Sequence, residues 1–256
     1  EDDHFERLGI GKNMAKSVRH WMIATNVVKD VRGAKTEQYL TEMGKIVERY
    51  DPFLQKTFTK GLLHYFLVTD EDIATTWYWF FNSYKEDVFD KTSVLEALEN
   101  WVKTNIKRSV STNSLRRDID CLFQTYTIKR FENATPEDVI RSPFEELGLL
   151  TQTIRSSYTK MPLVDCNHFE LFFVTLLAYM HKHNVFEVDI NDLTNAPELW
   201  GKVFNLSRST VVEIIEELQK DYPIVFTRTN RLDVVRLKEK TDLYVQIEKI
   251  YEEEVL

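Results

Sequence analysis

The C-terminal stretch PELWGKVFNLSRSTVVEIIEELQKDYPIVFTRTNRLDVVRL constrains the fold more than any other part of the chain. Ser207 stands where a helix N-cap is needed, and Val211, Ile214, Ile215 and Leu218 then recur at the spacing of one buried helical stripe. Two strand-like runs follow, IVFTR and LDVVRL, joined by a turn around Thr229 and Asn230. Helix, turn, helix and hairpin in that order predict a winged helix-turn-helix.

The same grammar, a short break rich in Gly, Ser or Asn followed by an amphipathic helix, occurs twice more. In LGIGKNMAKSVRHWM, Gly9 and Gly11 supply a tight turn after Leu8, and Asn13 is the expected N-cap. Met14, Val18, Trp21 and Met22 form the apolar stripe, and Lys12, Lys16, Arg19 and His20 the opposite, cationic one. In RSVSTNSLRRDIDCLF the outer face shows Arg116, Arg117, Asp120 and Gln124. The C-terminal helix instead shows Glu213, Glu216, Glu217 and Lys220, a face that repels phosphate, so Arg228 and Arg231 on its hairpin are the better candidates there. A helix with basic residues near its start, set behind a sharp turn, is the pattern of a nucleic-acid reader; a plain solvated surface helix has the same pattern. The expected DNA contacts are therefore Lys12, Asn13, Lys16, Arg19, His20, Arg116, Arg117, Arg228 and Arg231.

Only 7 Gly and 6 Pro among 256 residues argue for long helices and few tight loops. Helical periodicity runs from Thr36 to Phe66 and from Ser93 to Lys103. Between them Trp77, Tyr78, Trp79, Phe80 and Phe81 form a block too aromatic to be solvated, with no basic residue interleaved for base stacking, and it reads as core. The expected class is mainly α, with several helix-turn-helix units and a C-terminal winged-helix β-hairpin. Its regions are an N-terminal helix-turn-helix (1–50), a helical middle with the aromatic core and a second such unit (51–160), and the C-terminal winged unit (161–256).

The net charge of -8 is the wrong sign for a protein coated in nucleic acid, but the charge is sorted along the chain. Residues 101–130 carry seven Lys or Arg against Asp118 and Asp120, whereas residues 51–100 are strongly acidic. Cys121 and Cys166 fit no metal or redox spacing and read as thiols in a reducing compartment. The longest apolar run, Phe169 to Met180, contains Glu170 and is too short to span a bilayer, so a cytoplasmic protein with no membrane partner is expected.

Candidate catalytic groups are few. Gly9-Ile10-Gly11-Lys12 lacks the spacing, the following Ser or Thr and the preceding strand of a phosphate loop. Asp118 and Asp120 are the carboxylates that metal-assisted phosphodiester cleavage would use. On a helix, however, an i, i+2 spacing turns them about 200° apart, away from a shared ion and toward surface ion pairs. His181 and His183 diverge in the same way, and His168, after Asp165 and Asn167, reads as part of a helix start.

Four segments, LGIGKNMAKSVRHW, TTWYWFFN, LRRDIDCLFQTY and PFEELGLL, occur in an order and spacing similar to one known family. The chain resembles the domain-of-unknown-function family that includes the SspB component of bacterial DNA phosphorothioation systems, from about Phe5 to the C-terminal hairpin. Members of that family carry a GHETF-like segment ahead of the first unit, which this sequence lacks. The resemblance implies a DNA-engaging role in phage defence, alongside an ATPase and a sulfur-transfer protein. It also implies candidate nickase activity, without saying which residue cuts; for a nickase the expected cofactor is Mg²⁺ or Mn²⁺, and Asp118 and Asp120 are the candidate catalytic residues offered by the sequence itself. The alternatives are a non-catalytic adaptor that recruits the modification enzymes and a transcriptional regulator.

Overall fold

The computed structural model describes residues 9–33, 36–128, 141–153, 156–163, 168–228 and 233–253. The chain opens with α1 (Lys12–Ala24), an antiparallel ribbon of β1 (Val28–Arg32) and β2 (Thr36–Leu40), and α2 (Glu42–Tyr50). Next come α3 (Thr57–Val68) and α4 (Thr75–Asn82). The middle part comprises β3 (Val88–Asp90), α5 (Lys91–Asn105), α6 (Thr112–Tyr126), a 3-10 turn over Pro143–Leu147, β4 (Leu150–Gln152) and β5 (Ser157–Lys160). After α7 (Phe169–His183) follow β6 (Glu187–Asp189), α8 (Ile190–Asn195), α9 (Trp200–Val203), α10 (Arg208–Asp221), β7 (Ile224–Arg228), β8 (Asp233–Leu237) and α11 (Leu243–Glu253).

The expectation of a mainly α, all-helical class with one terminal hairpin is corrected here. The described residues contain three small antiparallel sheets, and the fold is mixed α and β. The missed strands have physical reasons for being missed. β3, β4 and β6 are three residues long, too short to display a period of two. β1 and β2 are exposed along nearly their whole length, so neither face carries an apolar alternation. Thr36–Leu40, read as the start of a helical run, is β2.

The sheets also reveal a repeat. The middle sheet has the order β3-β5-β4 and the C-terminal one β6-β8-β7, so each unit runs strand, two or more helices, then hairpin, with the last strand in the centre. This is the layout of a winged helix. In both units the first strand ends in an aspartate that caps the next helix. Asp90 accepts from the amides of Thr92 and Ser93, and Asp189 from that of Asn191. Ser111 and Ser207 then cap α6 and α10, the last α-helix before the hairpin in each unit.

Two nearly all-buried helices, α3 and α7, hold the units together. They approach so closely at Gly61 that a β-carbon there would stand 2.5 Å from Leu171 Cδ2. One continuous cluster of buried side chains reaches from Ala24 to Tyr251 and includes Trp77, Trp79, Phe80 and Phe81, as the aromatic block demanded. Inside it His64 of α3 is fully buried. Its Nδ1 lies 2.7 Å from the Tyr126 hydroxyl at the end of α6, and its Nε2 2.8 Å from the Val203 carbonyl of α9. A carbonyl can only accept, so Nε2 carries the proton and Nδ1 accepts from Tyr126.

Burial lowers the His64 pKa to about 4, against 6.5 for a solvated imidazole. Between those values the unfolded chain binds a proton that the folded one refuses. The stabilisation is therefore complete above pH 6.5 and is lost as the pH falls toward 4, by about 3 kcal/mol. Urea midpoints measured from pH 7 to pH 4 should show this slope in the wild type and lose that component in His64→Phe; equal slopes would rule the account out. A second expectation concerns Gly201, where a β-carbon would sit 1.9 Å from the Thr194 carbonyl oxygen. Gly201→Ala must push α8 and α9 apart, and should cost about 1–3 kcal/mol in the same assay.

Candidate nucleic-acid interface

α6 buries Leu115, Ile119, Leu122, Phe123 and Tyr126 and leaves Thr112, Asn113, Arg116 and Arg117 exposed at its N-terminal half. With the preceding turn it forms a strip, 103–117, holding Lys103, Lys107, Arg108, Arg116 and Arg117 and no carboxylate. None of these five cations is in an ion pair among the described residues. The positive end of the helix dipole adds to the same field. These cations stand unpaired at and before the start of the second helix of the middle unit.

The C-terminal unit has the same layout and the opposite electrostatics. Glu213 and Glu216 are exposed on α10, and Lys220 is tied to Glu217 at 2.6 Å. Arg228 on β7 lies 3.0 Å from Glu216, and Arg208 lies 3.3 Å from Asp233. The cations on and beside α10 are thus already neutralised by nearby carboxylates. Arg231 lies outside the described residues.

α1 differs from its sequence-based picture. Gly11, not Asn13, is the N-cap, and no side chain caps the helix. Met14 and Val18, the expected buried stripe, are 58% and 43% exposed, and Ala24 is the helix's one buried residue. The anchor is Trp21, whose ring packs edge-on against Trp77 at 5.3 Å. Lys12, Asn13, Lys16 and His20 are exposed, while Arg19 is engaged by Asp30 on β1. The helix runs directly into the β1–β2 ribbon, on which Lys29 and Arg32 are exposed; sequence reasoning passed over this ribbon. The cue was the Arg32-Gly33 turn between two short runs containing Val28, Val31 and Tyr39.

Asp118 and Asp120 are not brought together. Asp118 is half-buried and accepts from the Thr76 hydroxyl at 3.2 Å, on the side facing α4. Asp120 reaches Lys91 at the start of α5, at 2.6 Å. Arg116 and Arg117, their expected partners, bind neither. Among the described residues no group of three or more His, Cys, Asp or Glu is arranged to hold a metal ion, and this pair does not fit a shared Mg²⁺. His181 donates from Nε2 to the Thr241 carbonyl at 2.8 Å, and His183 lies 2.9 Å from Glu198, so these two also serve different neighbours. Cys121 is a free, partly buried thiol whose pKa burial pushes up; Cys166 lies outside the described residues. Among the described residues no helix is long and apolar enough to cross a membrane.

Two winged units of like topology and unlike charge, joined through a common helical core, define the class of this chain. Residues 1–251 match the model of a family described as "Protein of unknown function (DUF4007)", and the chain belongs to that family. Its fold is similar to that of a protein solved as "SspB crystal structure", with a TM-score of 0.84 at 19% identity. It is equally similar to a "Magnesium ion-bound SspB crystal structure", with a TM-score of 0.83 at 18% identity. In both comparisons all of this chain and 78% of the other are covered. No curated protein matches the chain.

One consequence concerns Asp118. Burial raises its pKa, with the Thr76 hydrogen bond and nearby His20 acting in the opposite direction. The folded state therefore binds this proton more tightly than the unfolded one, and stability falls as the pH rises through the Asp118 range. Asp118→Asn keeps an acceptor for Thr76 and should raise the melting temperature at pH 7. The gain should disappear on acidification below the carboxylate range. A lower melting temperature at pH 7 would refute the burial account.

Proposed function

We propose that this protein is the DNA-binding component of a bacterial DNA phosphorothioation system acting in phage defence. The observation that carries the reading is the unpaired cationic strip of the α5–α6 turn and α6. The family resemblance and the likeness in fold to SspB support the system assignment. Arg116 and Arg117 make the principal phosphate and groove contacts. Lys12, Lys16 and His20 on α1, with Lys29 and Arg32 on the ribbon, extend the contact. Arg19 and Arg228, already held by Asp30 and Glu216, contribute less. The exposed carboxylates of α10 favour a second role for the C-terminal unit, as the face that meets the partner proteins of the system, an ATPase and a sulfur-transfer protein.

Neutralising n phosphates releases counterions and sets the slope of log affinity against log salt, about -0.9 per phosphate on duplex DNA. Arg116→Ala with Arg117→Ala should weaken duplex binding and reduce the magnitude of that slope by about two, whereas Arg228→Ala should leave both nearly unchanged. Fluorescence anisotropy across a salt series measures this, and an unaltered slope in the double variant would remove α6 from the interface. Nicking is tested separately with supercoiled plasmid and Mg²⁺ or Mn²⁺. Relaxation abolished by chelator would establish cleavage, and retarded mobility without relaxation would leave a binding role.

A further inference from the structure

A polar cavity of about 450 Å³ lies where the two winged units meet, between the segment carrying Lys85 and Asp87, Lys160 of β5, and the turn from Gly201 to Ser207. The ammonium-bearing side chains of Lys85, Lys160 and Lys202 line it, Asp87 is the one carboxylate on its wall, and Ser207, the cap of α10, stands on its rim. Asn205 in the same wall donates to the Leu149 and Met161 carbonyls, stitching the turn of the C-terminal unit to the hairpin of the middle one.

Lys160 is the unusual member. Its Nζ donates to the Phe80 carbonyl at 2.8 Å and to the Tyr84 carbonyl at 2.7 Å, and it lies over the Phe80 ring at 4.7 Å. Those bonds hold the end of α4 and use two of its three N–H groups; the third has no acceptor among the described residues. Burial, with the neighbouring charge of Lys202, lowers its pKa to about 7, while Asp87 acts the other way. Three lysines against one exposed carboxylate leave this cavity with an excess of positive charge; Lys85 is exposed and Lys202 half-buried, and the cost of burying charge falls on Lys160. A tetrahedral oxyanion offers acceptors to the free N–H of Lys160 and to its two neighbours at once, and relieves that excess.

We propose that the cavity is a binding site for a phosphate-class oxyanion, held by Lys85, Lys160 and Lys202 at the junction of the two winged units. The anion is either free in solution or part of a nucleic-acid backbone. Isothermal titration of the full chain with inorganic phosphate, at ionic strength held constant with sodium chloride, should show saturable binding. Lys202→Gln and Lys85→Gln should each weaken it about tenfold, which corresponds to the loss of one charge-assisted hydrogen bond, with unchanged urea midpoints in phosphate-free buffer. Lys160→Met should abolish binding; should it fail to fold, the two outer variants decide the matter. No heat with the wild type, or unchanged affinity in both outer variants, overturns the proposal. The double variant Lys85→Gln with Lys202→Gln then separates the sources. A parallel loss of duplex affinity identifies a strand phosphate, and intact duplex affinity with lost phosphate binding identifies a free anion. The proposal does not rest on α6 touching DNA, since phosphate can bind here in a protein whose duplex affinity does not depend on Arg116 or Arg117.

Discussion

The neutral imidazole of His64 is the contact on which the relation between the two winged units depends. It sits in a helix with almost no solvent-facing side and satisfies one polar group from each unit, the Tyr126 hydroxyl and the Val203 carbonyl. Either group left without its partner in that core would carry an unsatisfied hydrogen-bonding atom, at a cost of about 1–3 kcal/mol. Around this contact the packing is aromatic: the rings of Phe81, Tyr126, Phe144 and Phe204 all lie within 6.3 Å of the imidazole. Large flat side chains from four separate segments thus converge on a single polar pivot. The orientation of α6 relative to the C-terminal unit follows from that convergence.

Duplicated architecture with divided charge is the main functional statement of the structure. The two units share strand order, the aspartate cap after the first strand and the serine cap on the last α-helix before the hairpin. They differ in whether their cations are spoken for. On α6 the arginines face water with no ion-pair partner among the described residues, Asp120 being taken by Lys91; around α10 each of Arg208, Lys220 and Arg228 has one. Surface pairs of this kind contribute little to stability, but they decide what a passing phosphate encounters. A layout used twice thus carries bare cations in one unit and exposed carboxylates beside paired cations in the other.

Much of this was legible in the sequence, and the limits have physical causes. The stripes Val211, Ile214, Ile215, Leu218 and Leu115, Ile119, Leu122 marked α10 and α6, because a helix that packs on one side writes a 3.6-residue period. The aromatic block at 77–81 announced a core because such surface has nowhere else to go. Three-residue strands write no period, and a ribbon solvated on both faces writes no alternation. The α1 stripe shows the converse failure: Met14 and Val18 have the right spacing but no opposing surface, and spacing alone does not reveal whether a partner exists. For the candidate interface the sequence located the cations but not their pairings. Arg19 meets Asp30 and Arg228 meets Glu216 across turns of the chain, so which charges stay bare is a property of the folded surface.

The N-terminal arm has a further consequence. α1 and the β1–β2 ribbon bury little beyond Ala24 and Val28, and the Trp21–Trp77 contact is their chief aromatic tie to the body. At their base Thr41 hydrogen-bonds back to Asn26 and Val27. A segment with so few buried contacts has its own opening equilibrium, separate from global unfolding and far less costly. Opening of the arm would leave the junction of the two winged units in place, since the His64 contacts do not run through it.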